Sequence, residues 1–476
     1  MHSVDIVPRH GHFHTANIKY GYLIFALSII HVVITILSRI FWKKRKLPLW
    51  LIVTIWTIIL GGVSVLNVPE LNENSSVVLK RFGRMGYVLI PFSVALAIRW
   101  PLAGPSRISA TTWLYMLNLP LHKWVLRLIL LCASIHSIGF IYKWWVGNTL
   151  SKLFTLYNFL GVVVWTISLV LVVISIKFCR KRWYKTFYVV HNLTLWLLVL
   201  VIAIHARPGV LLFCVINATI LALQIYQRLM AYPVTPQIAT APSSLQYISI
   251  SKPPTFPVYL PGSHVRLTYP ISNYKSWLLP THPFTIVSSH QLSTLDLIIK
   301  KTCFEISTNM DYSLTGPFLP LPASFYNTTD QLNILCGGSG ISFGIPLLAH
   351  FNTSIPIRLV WCIQNKQDLH VLKNLDTMLM SLIDVYVTGD LSDVDEAADG
   401  LLATDIELSS LNEPKSESSP RILNGRPDFS KVLIDDADVS VNKKWIVACG
   451  PVSLVNDAKT LSKDKGWHFF LEVYQM

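Results

Sequence analysis

Residues 121–136 read LHKWVLRLILLCASIH, and residues 191–205 read HNLTLWLLVLVIAIH. Each stretch carries two histidines bracketing thirteen residues: His122 with His136, and His191 with His205. Fourteen helical steps rise about 21 Å and turn about 1400°, about 40° short of four full turns. Both histidines of a pair therefore lie on nearly one face, toward opposite ends of a membrane-length helix. Two such helices side by side present two stacked pairs of imidazoles, and each pair is an axial cage for one haem iron. A single histidine in an apolar helix is commonly a hydrogen-bonded core residue. Ionisable residues inside membranes are nevertheless rare and point to function, and one spacing repeated on two segments favours ligands. His31 has no partner at this spacing and reads as structural.

Composition supports a membrane protein with a soluble portion. The chain has 476 residues, 52% of them hydrophobic and 14% charged, and its character changes near Met230. Before that point run seven apolar segments: Tyr20–Trp42, Leu47–Leu66, Met85–Trp100, Trp124–Trp145, Leu153–Phe178, Phe187–Ala206 and Val210–Met230. Most reach the roughly 20 residues that cross a bilayer; Met85–Trp100 is the shortest and contains proline. The basic clusters Lys43–Lys46 and Lys177–Lys185 assign their loops to the cytosol, which puts the N-terminus outside and the soluble half inside. The first segment lacks the features of a cleaved signal peptide, because its positive flank follows the apolar core.

On this topology the loop Asn67–Arg84 is external and carries the glycosylation acceptor Asn74-Ser75-Ser76. Similar triplets at Asn192, Asn217, Asn327 and Asn352 fall in spans or cytosol and should be silent. Seven cysteines without a CxxC pair give neither a zinc site nor a disulfide framework. The cluster His10-Gly11-His12-Phe13-His14 reads as a solvated tail. A net charge of +14 suits cytosolic loops and membrane flanks, and nothing in its distribution suggests nucleic acid as a partner.

Beyond a proline-rich linker, Tyr232 to Pro242, strand-like segments Leu245–Ser251, His264–Tyr269, Phe284–Ser288 and Leu295–Lys300 are punctuated as in an antiparallel barrel. From Gln331 the pattern alternates: strand Leu332–Cys336, a glycine turn, helix Ile341–His350, strand Ile357–Cys362, a helix around Leu369–Ile383, strand Val385–Val387, and a final strand Trp445–Cys449. That alternation predicts a parallel sheet of dinucleotide-binding architecture. Gly337-Gly338-Ser339-Gly340 sits at the first strand-to-helix turn, where bare backbone lets a pyrophosphate reach the helix start. After the second strand stand Gln364, Asn365 and Lys366, where an NAD site places a carboxylate for the ribose. Lys366, with Arg426, suits a 2′-phosphate and favours NADPH.

In combination these motifs resemble the fungal ferric reductase and NADPH oxidase superfamily, over nearly the whole length from Arg84. The resemblance rests on Leu121-His122-Lys123-Trp124 with His136, His191 and His205; on His282-Pro283-Phe284-Thr285 preceded by Pro261-Gly262-Ser263-His264-Val265; and on Gly337–Ser342, Gly425-Arg426-Pro427 and Cys449-Gly450-Pro451. The compact length is similar to the short metalloreductase branch. It implies a helical di-haem membrane domain followed by a ferredoxin-reductase-like module, with FAD, two b-type haems and NADPH as cofactors. The expected domains are 1–83 (tail and two spans), 84–230 (haem-binding), 231–325 (FAD-binding β-barrel) and 326–476 (NADPH-binding α/β).

The resemblance further implies that Phe284 packs by the isoalloxazine, that Thr285 bonds near its reactive nitrogen, and that His282 and Pro283 support the FAD. Gly337, Gly338, Ser339, Gly340, Ile341, Ser342 and Arg426 would hold NADPH, and Cys449, Gly450 and Pro451 would line its nicotinamide end. Gly316-Pro317 resembles a second flavin-side turn. Two departures stand out. The chain ends Val473-Tyr474-Gln475-Met476 where the family ends on an aromatic residue, and Gly389–Pro414 carries eight acidic residues with no Lys or Arg, as a disordered insertion does.

The implied path runs from cytosolic NADPH through FAD to the haem of His122 and His191, then to that of His136 and His205. The expected activity is reduction of ferric or cupric ions across the plasma membrane or the endoplasmic reticulum membrane. Superoxide production by the same wiring is the alternative, and a non-catalytic membrane partner a third. Metal chelate or dioxygen, and membrane lipid, are the partners expected; the sequence names no protein partner.

Overall fold

The computed structural model describes residues 11–41, 48–71, 73–97, 105–206, 210–239, 243–301, 304, 306–373, 375–389 and 420–472. His10, the acidic segment beyond Gly389 and Tyr474 lie outside the described residues. The chain divides into two compact units, the first holding Met1–Trp100, Leu114–Leu229 and Leu278–Pro280, the second the remainder.

The first unit is helical: α1 (Gly11–Phe41), α2 (Leu49–Val65), α3 (Ser75–Ala97), α4 (Pro105–Val146), α5 (Leu156–Ser175), the short basic α6 (Lys177–Arg182), α7 (Tyr184–His205) and α8 (Leu211–Leu229). Stretches of α1, α4, α5, α7 and α8 have the length and hydropathy to cross a membrane. The expected seven spans thus become five helices of full length and apolarity, an apolar α2 of 17 residues, and α3.

The loop expected at Asn67–Arg84 is corrected, because helix begins at Ser75 and Asn74 donates its side-chain amide to the Pro69 carbonyl at 2.8 Å. Every residue from Met85 to Val94 is buried, since α3 packs against α1, α2 and α8. A helix walled in by protein need not present an apolar surface to lipid, so its first turns tolerate Lys80, Arg81 and Arg84. Arg81, 1% exposed, donates to the carbonyls of Val63, Ser64 and Leu66 at 3.2, 3.4 and 2.5 Å. Those groups end α2, where a helix leaves carbonyls open and favours a cation. In contrast, α5 buries Val164 alone and turns Phe159, Val170 and Val173 outward, as a lipid-facing helix does.

The second unit begins with a barrel-like pair of antiparallel sheets. One has the order β1 (Tyr232–Val234), β7 (Tyr312–Phe318), β4 (His264–Thr268), β5 (His282–Thr285); the other β2 (Pro236–Ala239), β3 (Leu245–Ser251), β6 (Thr294–Lys300). The supposed linker therefore contains two strands, and β7 was not anticipated. Pro233, Pro236 and Pro283 all sit on edge strands, where a missing N–H costs no ladder bond. A bridge between Ile286 and Leu297 links the sheets around Ile248, Val265, Leu295 and Leu314.

Six parallel strands follow in the order β11 (Arg421–Asn424), β10 (Ile383–Val387), β9 (Ile357–Ile363), β8 (Gln331–Gly337), β12 (Lys444–Cys449), β13 (His468–Glu472). The helix expected around Leu369–Ile383 is instead a 3-10 segment, Lys366–Leu372, and a single turn, Thr377–Met380. Nor is Trp445–Cys449 the last strand. Helix Val452–Asp464 returns the chain so that β13 pairs parallel to β12, its half-buried residues closing the sheet edge.

Candidate functional sites

All four predicted histidines meet as two pairs. His122 and His191 have ring centroids 6.3 Å apart, and His136 and His205 have theirs 6.2 Å apart. An imidazole nitrogen binds a metal at about 2.0 Å with its ring centre roughly 1 Å behind, so two imidazoles sharing an iron have centres about 6 Å apart. The observed spacings match. Three of the rings are oriented through Nδ1, which leaves Nε2 for a metal. Nδ1 of His122 meets the Ser93 carbonyl at 2.8 Å, that of His136 the Leu79 carbonyl at 2.8 Å, and that of His205 the Tyr157 carbonyl at 2.6 Å. Thus α3 orients the histidines of α4, and α5 orients His205.

Glycines make these approaches possible. A β-carbon on Gly83 would stand 2.8 Å from His136 Nδ1, and one on Gly161 would stand 2.6 Å from His205 Cε1. The Nη1 of Arg84 is buried without a hydrogen-bond partner, and no Asp or Glu occurs between Glu73 and Asp296. A buried cation needs a counter-charge; the carboxylates of a porphyrin are of the right sign. The residues fit a haem at each pair. Sequence reading missed Gly83, Gly161 and Arg84, although an arginine in an apolar segment without any acidic residue near it was there to be seen.

In the second unit the flavin motif lies on adjacent strands. Register pairs His264 with Thr285, Val265 with Phe284, Arg266 with Pro283 and Leu267 with His282. Thr285 is buried, and His282 stacks on Phe304 with centroids 4.1 Å apart. Arg266, another residue the sequence reading passed over, donates from Nε to Thr281 Oγ1 at 2.5 Å and from Nη2 to the Thr281 carbonyl at 2.7 Å, holding the residue before His282. Gly316-Pro317 is not a turn. It lies within β7, where the register against β4 shifts by one residue.

The nucleotide motifs converge where strand order reverses, between β8 and β12, which is where open α/β sheets bind ligands. Gly337–Gly340 leads from β8 into helix Ile341–Phe351, and Cys449-Gly450-Pro451 leaves β12 alongside it. A β-carbon on Gly337 would lie 2.5 Å from Pro451 Cδ, and one on Gly450 would lie 2.9 Å from the Gly337 nitrogen. Gly338, with φ +53°, has nothing within 4 Å of its β-position, so the turn's bare side is open. Ser342 Oγ donates to the Ser339 carbonyl at 2.9 Å, and Trp361 Nε1 to that of Gly338 at 2.9 Å. The exposed Arg426 follows β11; burial pushes the nearby Cys362 thiol up to about 11 against the opposing pull of that guanidinium. Register aligns Asn424 of β11 with Val387 of β10 and Ile363 of β9, so Arg426 leaves the same sheet edge from which Gln364, Asn365 and Lys366 emerge.

An apolar helical unit with paired histidines, joined to a flavin-type barrel and a dinucleotide sheet, defines a membrane-embedded oxidoreductase. Comparison with known proteins agrees. Residues 82–202 match the family described as "Ferric reductase like transmembrane component", 233–335 an "FAD-binding domain", and 329–463 a "Ferric reductase NAD binding domain". The chain is 40% identical to a protein of Scheffersomyces stipitis named "Probable metalloreductase AIM14", covering 98% of this chain and 97% of that one. It is 38% identical to a protein of the same name from Candida tropicalis, covering 99% of each. Among solved structures it is similar to a cytochrome P450 reductase of Amycolatopsis, at 13% identity over 51% of this chain and 70% of that one, TM-score 0.35. The chain belongs to the ferric reductase family: it is an integral membrane oxidoreductase with FAD- and NAD(P)-binding domains.

Proposed function

We propose that the protein is an NADPH-dependent metalloreductase that passes electrons from the cytosol to ferric or cupric ions across the plasma membrane or endoplasmic reticulum membrane. The observation that carries this reading is the doubled histidine pair, with centroids at 6.3 and 6.2 Å. His122 and His191 would hold one b-type haem near the cytosolic face, and His136 and His205 the other near the far face. Bound there, haem supplies a one-electron centre, and FAD in the barrel supplies a carrier that takes two electrons and releases them singly. With both histidines of each pair committed to a haem, substrate would be reduced without binding in place of a histidine. His282, Pro283, Phe284 and Thr285 lie along the flavin in this reading, and Gly337–Ser342 with Cys449, Gly450 and Pro451 receive the dinucleotide.

Two features favour NADPH over NADH. Lys366 follows β9 by three residues and Arg426 follows β11 by two, at the sheet edge where both strands end, and Asp368, the first carboxylate after β9 in the chain, is buried and bonded to Ser243. The basic α6 and Lys43–Lys46 support a cytosolic placement of their loops. Full-length protein with NADPH and FAD, assayed for ferrous iron and superoxide in parallel, tests the acceptor. Ferric chelate should take most of the electrons; superoxide accounting for most of the NADPH consumed reverses the assignment to an oxidase.

A further inference from the structure

Asp368 is five residues beyond β9 and only 3% exposed. Its Oδ1 accepts from Ser243 Oγ at 2.5 Å, from the Ser244 backbone N–H at 3.2 Å and from Ser244 Oγ at 3.1 Å; Oδ2 accepts from Ser244 Oγ at 3.1 Å. Among the described residues no salt bridge includes it. A buried carboxylate without a cation survives only when donors converge on it. Here they come from one dipeptide, directly before Leu245, where barrel strand β3 begins.

The segment held this way is a 3-10 helix, a conformation with poor hydrogen-bond geometry of its own. Its start is capped by Asn365, which accepts from the Gln367 N–H at 2.8 Å. Lys366 lies between that cap and Asp368. The free path from β9 to the barrel anchor is therefore short, and the lysine's backbone has little freedom.

We infer that Asp368 is a positioning residue for recognition of the coenzyme 2′-phosphate: clasped by Ser243 and Ser244, it holds Lys366 at the end of β9 beside Arg426. This rests on the NADPH reading above and explains how a carboxylate can stand in the ribose-recognition loop without serving NADH. Turned inward, it cannot accept from a ribose 2′-hydroxyl; it works through the backbone on a cation instead.

The test uses full-length protein in detergent with FAD, reducing a ferric chelate. Asp368→Asn should raise the KM for NADPH about tenfold, equivalent to about 1.4 kcal/mol, while the KM for NADH, kcat at saturating NADPH and bound FAD stay as in the parent. Inhibition by adenosine 2′,5′-bisphosphate should weaken in parallel, and inhibition by AMP should not. Ser244→Ala, which removes one side-chain donor and spares the carboxylate, should shift the same quantities less and serves if Asp368→Asn does not fold. Equal losses for both coenzymes, or none, overturn the inference. A parent protein indifferent to NADPH or NADH overturns the NADPH reading instead, a separate result.

Discussion

Gly340 and Cys449 are so close that a β-carbon on Gly340 would stand 2.1 Å from the Cys449 carbonyl oxygen. Backbone meets backbone here, so nothing flexible can give way. The contact brings the turn after β8 against the turn after β12, and so joins two motifs distant in the sequence. Gly340→Ala should lower NADPH-driven reduction at least about tenfold, with haem content unchanged. Steady-state kinetics checks this; a parental KM and kcat would mean that the turns can part without loss.

Each histidine pair should act as a unit. Single changes to Leu at His122 or His191 should remove one low-spin b-type signal, and changes at His136 or His205 the other. Reduced-minus-oxidised spectra and haem content per FAD are the readouts. If His136→Leu retains both haems and electron flow, that pairing is wrong.

Gly161→Ala probes the same site without replacing a histidine. The new methyl would lie 2.6 Å from His205 Cε1, driving the ring from its bond to the Tyr157 carbonyl. One haem per chain, with the His122 and His191 signal intact, is the expected spectrum. Two haems with parental midpoint potentials would show that α5 yields easily.

Arg426 is exposed, so Arg426→Ser should fold normally. It should weaken NADPH tenfold or more and leave NADH within about twofold. Comparing the two KM values decides the matter, and a uniform change in both would remove Arg426 from coenzyme choice.

Hydrogen bonds from Lys444 and Lys465 hold the Asp435 carboxyl below the usual carboxylate range. A depressed folded-state pKa contributes stability above the unfolded value, about 3.9, and that contribution is lost as pH falls through the folded pKa. Asp435→Asn should therefore melt lower than the parent at pH 7, with the two curves converging below about pH 4. Thermal melts across that range test the sign; a gap that does not narrow as pH falls below about 4 would assign the loss to packing of the buried Lys444.

The histidine pairing was legible because the helix period converts a spacing into a face. The strands of the parallel sheet were legible too, since strands buried on both sides read as apolar runs; β8 and β9 fall within a residue or two of expectation. The short pieces were harder. Tyr232–Val234 and Pro236–Ala239 look like linker because Pro233 and Pro236 interrupt them and Pro242 follows; only their edge positions make them strands. Similarly, α3 looked like the weakest span because its apolar run is short and contains proline, yet among the described residues it is buried without a break from Met85 to Val94.

Sequence alone determined the class of fold, the ligand candidates and the family, because periodicity and motif order are properties of the chain taken one residue after another. The tertiary structure decided which histidine faces which, and that Ser93, Leu79 and Tyr157 orient them. It also decided that Asp368 turns toward Ser243 and Ser244 and that Gly340 admits Cys449. Those are contacts between distant segments. Their energies depend on distances of a few ångströms that no local pattern encodes, and only packing brings the partners together.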